Sequence, residues 1–211
     1  MKKPFAISTF NLTCIGLGKM GSVLAKKLLE KGFRVTVFNR TPHKMQPLIA
    51  AGAHGADSLQ GAVKNANVIL TCLLDDNAIL ETTAQLLPAL QPGTIHIGTS
   101  TIMPKTSKKL DELHQQHGST YLAGNVLGVP KAAENGALTS IVAGDASAIE
   151  QCMDIFKAYS VKIIQAGDKP YQANAMKICC NYFLAASIEA MAEVYTFAEK
   201  NDLSIAIPGL E

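Results

Sequence analysis

The spacing of apolar residues changes period several times along the chain. Asn11 to Ile15 is a short strand-like run, and from about Lys19 to Lys31 the residues Met20, Val23, Leu24 and Leu28 recur at helical spacing on one side. Gly32 suits the C-terminal cap of that helix. Phe33 to Phe38 then predicts a second strand, because Val35 and Val37 are β-branched and the run is bounded by Gly32 and by Asn39-Arg40-Thr41-Pro42. The result is one βαβ unit of minimal length. Further strands are predicted over Val68 to Leu74, Thr94 to Ile97, Ser119 to Leu122, Leu138 to Ala143 and Val161 to Gln165. Helices are predicted over Asp76 to Leu87, Pro104 to His117 and Ala146 to Tyr159. Short strands alternating with helices imply a mostly parallel sheet covered on both faces.

The pattern changes after Gly167. From about Tyr171 to Lys200 there is no Gly or Pro, which predicts one helix of roughly thirty residues, far above the usual ~11 to 12. Met176, Ile178, Phe183, Leu184, Ile188, Met191, Val194 and Phe197 point in nearly every direction around it. A helix apolar all round is expected to be buried. The eleven residues after Lys200, Pro208 and Gly209 among them, cannot cover it. The expectation is therefore a partner subunit, giving a homodimer through this helix, or a chain truncated from a longer one. The domain reading is 1–166 for a nucleotide-binding domain and 167–211 for the long helix with the remnant of a helical domain.

Composition narrows the function classes. With 48% hydrophobic and 17% charged residues the chain has the material for a core. Nineteen Lys and Arg against seventeen Asp and Glu leave a net charge of +2 with no like-charge block, which argues against nucleic-acid or membrane-surface binding. The stretch Pro4 to Phe10 after Lys2 and Lys3 is too short and too polar for a signal peptide. Ala175 to Ala198 is interrupted by Lys177, Glu189 and Glu193, so no membrane span is expected. Cys14, Cys72, Cys152, Cys179 and Cys180 are odd in number and lack zinc spacing; they read as core thiols of a reducing, cytoplasmic compartment. Glu189 and Glu193 have no histidine at matching spacing, so no metal site is expected.

The strongest local motif is Gly16-Leu17-Gly18-Lys19-Met20-Gly21, between the first strand and the first helix. Gly16 permits a tight turn, Gly18 lets the backbone approach a diphosphate, and Gly21 allows close helix–strand contact. Free N–H groups at the helix start then face the phosphates. Strand, turn and helix in this order point to dinucleotide binding. An NAD-preferring site carries Asp or Glu at the end of the second strand, where this chain has Asn39-Arg40-Thr41. Without a carboxylate, and with Arg40 able to pair with a 2′-phosphate and His43 and Lys44 nearby, the reading is NADP(H) over NAD(H), with NAD(H) still possible.

These residues resemble the β-hydroxyacid dehydrogenase family, which includes 3-hydroxyisobutyrate dehydrogenase and glyoxylate or succinic semialdehyde reductases and is related to the cofactor domain of 6-phosphogluconate dehydrogenase. The resemblance runs from Thr13 to about Leu203. It implies a Rossmann-type, doubly wound α/β sheet followed by a long interdomain helix. It also implies that Cys72-Leu73-Leu74-Asp75 borders the adenosine side of the cofactor, and that Ser100 and Thr101, in Thr99-Ser100-Thr101-Ile102-Met103-Pro104, border the nicotinamide. The segment from Ala123 to Gly136 resembles the family's substrate loop, usually Asp-Ala-Pro-Val-Ser-Gly-Gly. Here Ala123 replaces the Asp, Asn125 the Pro, Leu127 the Ser and Val129 the second Gly. Asn125, Val126, Leu127 and Gly128 are thus the implied substrate residues, and since Leu127 has no side-chain donor an anion must rely on main-chain N–H groups around Gly128.

Lys177 and Asn181 lie one helical turn apart and match the family's Lys-x-x-x-Asn. The resemblance makes Lys177 the acid or base and Asn181 its orienting partner, moving a proton to or from the substrate oxygen as hydride moves at the nicotinamide. The leading expectation is an NADP(H)-dependent oxidoreductase acting on a small hydroxy acid or semialdehyde. The alternatives are a catalytically weak, dimerising NADP-binding module and an imine reductase-like enzyme, which usually places another residue at the lysine position.

Overall fold

The computed structural model describes residues 11–203. The signal-peptide reading of residues 1–10, and Pro208 and Gly209, lie outside the described residues. Eight strands, β1 (Asn11–Ile15), β2 (Arg34–Phe38), β3 (His54–Gly55), β4 (Val68–Thr71), β5 (Ile95–Gly98), β6 (Thr120–Leu127), β7 (Leu138–Ala143) and β8 (Ser160–Gly167), form one sheet. Their order is β3-β2-β1-β4-β5-β6-β7-β8. Every neighbouring pair is parallel except β6 with β7. The chain winds outward from β1 through β2 to β3, then returns to lay β4 on the other side of β1. That reversal opens a crevice at the carboxyl ends of β1 and β4, where α/β sheets bind ligands.

Alternation along each strand divides the core between two faces. Leu12 and Cys14 of β1, Val35 and Val37 of β2, Val68 and Leu70 of β4, and Ile95 and Ile97 of β5 pack on one face. There they meet Leu24 and Leu28 of α1 (Lys19–Glu30) and Ile155 and Phe156 of α8 (Met153–Tyr159). On the other face Ile15 and Ile69 meet Leu59 and Val63 of α3 (Leu59–Val63) and Leu86 of α4 (Asp76–Leu86). Tyr121 packs with Leu110 of α5 (Pro104–Gln116). Strands covered on both sides read as near-continuous apolar runs, which is why β4 and β5 are buried at every position.

Several expectations are corrected. The predicted strand over Val68 to Leu74 ends at Thr71, leaving Cys72, Leu73 and Leu74 in the crevice loop. Asn125, Val126 and Leu127 are not in a loop: they belong to β6, which runs on past Leu122 because it gains an antiparallel partner in β7. The short α2 (Gln46–Ala50), β3 and α3 were not anticipated, being too brief to show a period. The helix expected over Ala146 to Tyr159 is two, α7 (Ala146–Gln151) and α8, broken at Cys152. Cys14 and Cys152 are buried, but Cys72 and Cys180 are half-buried and Cys179 is exposed, so not all five are core thiols.

The described chain divides inside the last helix, α9 (Pro170–Lys200): residues through Lys177 form one compact unit and those from Ile178 a second. In the first unit Ala173 and Asn174 are buried. In the second, large apolar side chains stand exposed in the single chain; Tyr182, Phe183 and Phe197 are 77%, 75% and 67% exposed. Among the described residues no helix is long and apolar enough to cross a membrane.

Behind the crevice lies a buried polar chain. Thr71 Oγ1 is hydrogen-bonded to His96 Nε2 at 2.9 Å, His96 Nδ1 to His114 Nε2 at 2.8 Å, and His114 Nδ1 to Ser119 Oγ at 2.8 Å. Burial, and then the neighbouring His114, holds His96 well below the usual imidazole range. Burial, and then His117, lowers His114 from 6.5 to about 4. Both rings are neutral in the folded protein at neutral pH, while the unfolded chain protonates them below about 6.5. Their contribution to stability is therefore present above that pH and lost as the pH falls toward about 4. Melting followed by circular dichroism from neutral pH to about 4 should show Tm falling more steeply for the wild type than for His114→Gln. Equal slopes would contradict the buried pair's role.

Candidate active site

The crevice is built from the main chain outward. At the end of β1 the chain turns at Gly16, whose φ of +88° suits a residue without a Cβ. A Cβ there would also meet the carbonyl oxygen of Cys72 and Leu73 Cδ2. Gly16 N–H donates to Phe38 O at 3.2 Å, and Leu17 N–H donates to Asn39 Oδ1 at 2.9 Å, so the turn is latched to the end of β2. Asn39 Nδ2 donates to Thr41 O at 3.1 Å, which fixes the amide at both ends. Gly21 lies against the turn; its Cβ would overlap the carbonyl oxygen of Gly16. Gly18 differs, since a Cβ there would have nothing within 4 Å. It caps α1 without a side-chain hydrogen bond, leaving the positive end of the helix dipole facing the open crevice.

Around this turn is a cleft of about 790 Å³. Gly16, Gly18, Lys19 and Met20 form its floor, with Asn39, Arg40 and Thr41 at the end of β2. Cys72, Leu73 and Leu74 form the opposite wall, and Leu74 is 88% exposed, an apolar side chain held out beside the opening. Arg40 and Lys44 both line the β2 end, and no carboxylate belongs to that segment. Burial raises the Cys72 thiol, partly offset by hydrogen bonds from Thr99 and from the backbone of Gly21. Burial, and then Cys72, pushes Cys14 up to about 12. Both are protonated at neutral pH, so neither is a ready nucleophile.

The structure thus brings together ten of the residues assigned to the cofactor and places the others elsewhere. Leu17 and Gly21 are buried beneath the turn. Ser100, just past β5, is 4% exposed; its Oγ accepts the Leu73 N–H at 2.8 Å and its carbonyl accepts Asn125 Nδ2 at 2.8 Å. Thr101 is exposed. Asn125 is fully buried and its Oδ1 has no partner, an omission that costs about 1–3 kcal/mol in a buried polar group. Val126 is buried, Leu127 half-buried, and Gly128 exposed with φ +130°. Lys177 is half-buried at the end of the first unit, and Asn181 is exposed in the second. Lys177 does not line the cleft.

Residues 11–167, the whole of the sheet and its crevice, match the NAD binding domain of 6-phosphogluconate dehydrogenase. This chain belongs to that family. An uncharacterized oxidoreductase of Bacillus subtilis is 37% identical over 195 residues, covering 91% of this chain and 68% of the relative. The NAD-dependent L-serine dehydrogenase of Pseudomonas aeruginosa is 32% identical over 203 residues, covering 92% and 65%. The solved structure of Mycobacterium tuberculosis 3-hydroxyisobutyrate dehydrogenase with L-serine superposes with a TM-score of 0.90 at 30% identity, covering 93% of this chain and 67% of that one. The chain spans about two thirds of the length of these relatives.

The cleft is larger than the motifs alone indicated. Ser58 and Gln60 from the start of α3, and Ala78, Glu81 and Thr82 from α4, also line it. The local signals for them were the two N-caps: Ser58 accepts the Gly61 N–H at 3.1 Å and Asp75 accepts the Ala78 N–H at 2.8 Å. The two glycines predict opposite outcomes in thermal unfolding. Gly21→Ala should lower stability by about 1–3 kcal/mol through overpacking, whereas Gly18→Ala should leave Tm near the wild-type value. A tolerated Gly21→Ala would contradict the close packing of α1 on the turn.

Proposed function

We propose that this chain binds NADP(H) in the crevice and acts in hydride transfer to or from a small hydroxy acid or the corresponding carbonyl compound. The observation that carries the reading is the bare main-chain surface at Gly18, at the start of α1, beside a strand end that bears Arg40 and Lys44 and no carboxylate. Amide N–H groups and the helix dipole suit a diphosphate there. The Arg40 guanidinium suits a 2′-phosphate, with Lys44 adding charge. Preference for NADP(H) over NAD(H) rests on these two cations. The bound nicotinamide supplies or accepts the hydride.

The proton is assigned to Lys177, in keeping with the Lys-x-x-x-Asn pattern, and Asn181 keeps the orienting role that pattern gives it. A lysine half removed from water is suited to exchange a proton with a substrate oxygen, which otherwise becomes an alkoxide. Ser100 and Thr101 keep the nicotinamide role, and the stretch from Asn125 to Gly128 the substrate role, that the resemblance gives them. The relatives named for L-serine and 3-hydroxyisobutyrate support a small hydroxy acid as the substrate class. The exposed apolar residues Tyr182, Phe183, Leu184 and Ile188 favour self-association of two copies through the second half of α9, since apolar surface of this extent is stabilised by removal from water. Lys177→Ala should abolish NADPH-dependent turnover of a panel of semialdehydes and keto acids while leaving NADPH affinity unchanged. Turnover at the wild-type rate would refute the assignment.

A further inference from the structure

The parallel ladders that join β4, β5 and β6 stop together at the crevice, and side chains carry the contact further. The β4–β5 ladder stops at Thr71↔Gly98 and the β5–β6 ladder at Gly98↔Ala123. Two residues beyond the last paired row come Leu73, Ser100 and Asn125. No backbone bond joins them, yet two side-chain bonds do. Leu73 N–H donates to Ser100 Oγ at 2.8 Å, and Asn125 Nδ2 donates to Ser100 O at 2.8 Å. The proline usual at position 125 in the resembling families has no such donor. The unpartnered, buried Oδ1 of Asn125 shows that this amide is engaged through its donor alone.

We propose that Asn125 is a positioning residue for the cofactor cleft, acting through Ser100 on the wall formed by Leu73 and Leu74. The inference rests on the reading of the cleft as a dinucleotide site. Asn125 is fully buried and does not line the cleft, whereas Leu73 and Leu74 do. Its influence on the ligand must therefore pass along the row. Releasing either bond frees the β4 loop and with it the wall, so the two side chains act as one unit.

ADP-ribose, which carries the adenosine and diphosphate but no nicotinamide, is the probe. Calorimetry on the wild-type chain, Asn125→Ala, Ser100→Ala and the double variant should show ADP-ribose weakened about three- to tenfold by each single change, the equivalent of one hydrogen bond. The double variant should be no weaker than the weaker single, because members of one network are not additive. Asn125→Leu, which has nearly the same shape and no donor, should not restore affinity. Ser100→Ala removes one hydroxyl only and keeps the test open should Asn125→Ala fail to fold. Unchanged affinity in Ser100→Ala, or additive losses in the double variant, overturns the inference while leaving the cleft's function intact. A wild-type chain that does not bind ADP-ribose overturns both.

Discussion

The geometry of the crevice depends on how closely α1 approaches the turn that precedes it. Gly21 has no Cβ because the carbonyl oxygen of Gly16 occupies that place, and Gly16 has none because the Cys72 carbonyl does. The three segments β1, α1 and the β4 loop can meet only through bare backbone. This contact aims the first turn of α1 at the point where the strand order reverses. Leu17 N–H on Asn39 then ties the same turn to β2, so one amide side chain sets the distance between the floor of the cleft and the strand end that carries Arg40. The donors of the turn are preorganised before any ligand arrives, which lowers the cost of ordering on binding.

A second consequence of the parallel sheet is that its carboxyl edge must be finished by something other than backbone pairing. The β4–β5 ladder stops at Thr71 and Gly98, and Thr99, Ser100 and Asn125 supply side-chain bonds beyond it. Behind that edge, Thr71, His96, His114 and Ser119 complete a polar chain that needs neutral imidazoles to remain buried. The floor of the site is thus held by polar contacts and its outer faces by apolar ones. The interior tolerates little change at either.

Much of this was legible in the residues because it rests on local rules. The glycine turn, the strand ends at Ile15 and Phe38, and the cleft residues from Gly16 to Thr41 follow from spacing and conformational freedom alone. What was not legible depends on partners far away in sequence. Asn125 and Leu127 read as loop because nothing local reveals the antiparallel pairing with Ile141 and Thr139 that makes them strand. The bonds of Ser100 to Leu73 and Asn125 span 27 and 25 residues. Ser58 and Glu81 reach the cleft only because α3 and α4 pack beside each other over β4. The second half of α9 reads as a surface to be covered by something other than this chain, and its large apolar side chains are exposed in the single chain. Hydrophobic pattern specifies that a face is to be covered, and not by which molecule.

In the proposed function the main chain at Gly16 to Gly21 grips a dinucleotide diphosphate at the strand-order reversal. Calorimetric titration of NADPH and NADH into the wild-type chain and into Gly18→Val is the direct test, because Gly18 lines the cleft and a Cβ there would have nothing within 4 Å. The wild type should bind NADPH at least about tenfold more tightly than NADH, or about 1.4 kcal/mol, and Gly18→Val should bind neither while melting as a folded protein. Binding of either dinucleotide to Gly18→Val with wild-type affinity would contradict the account.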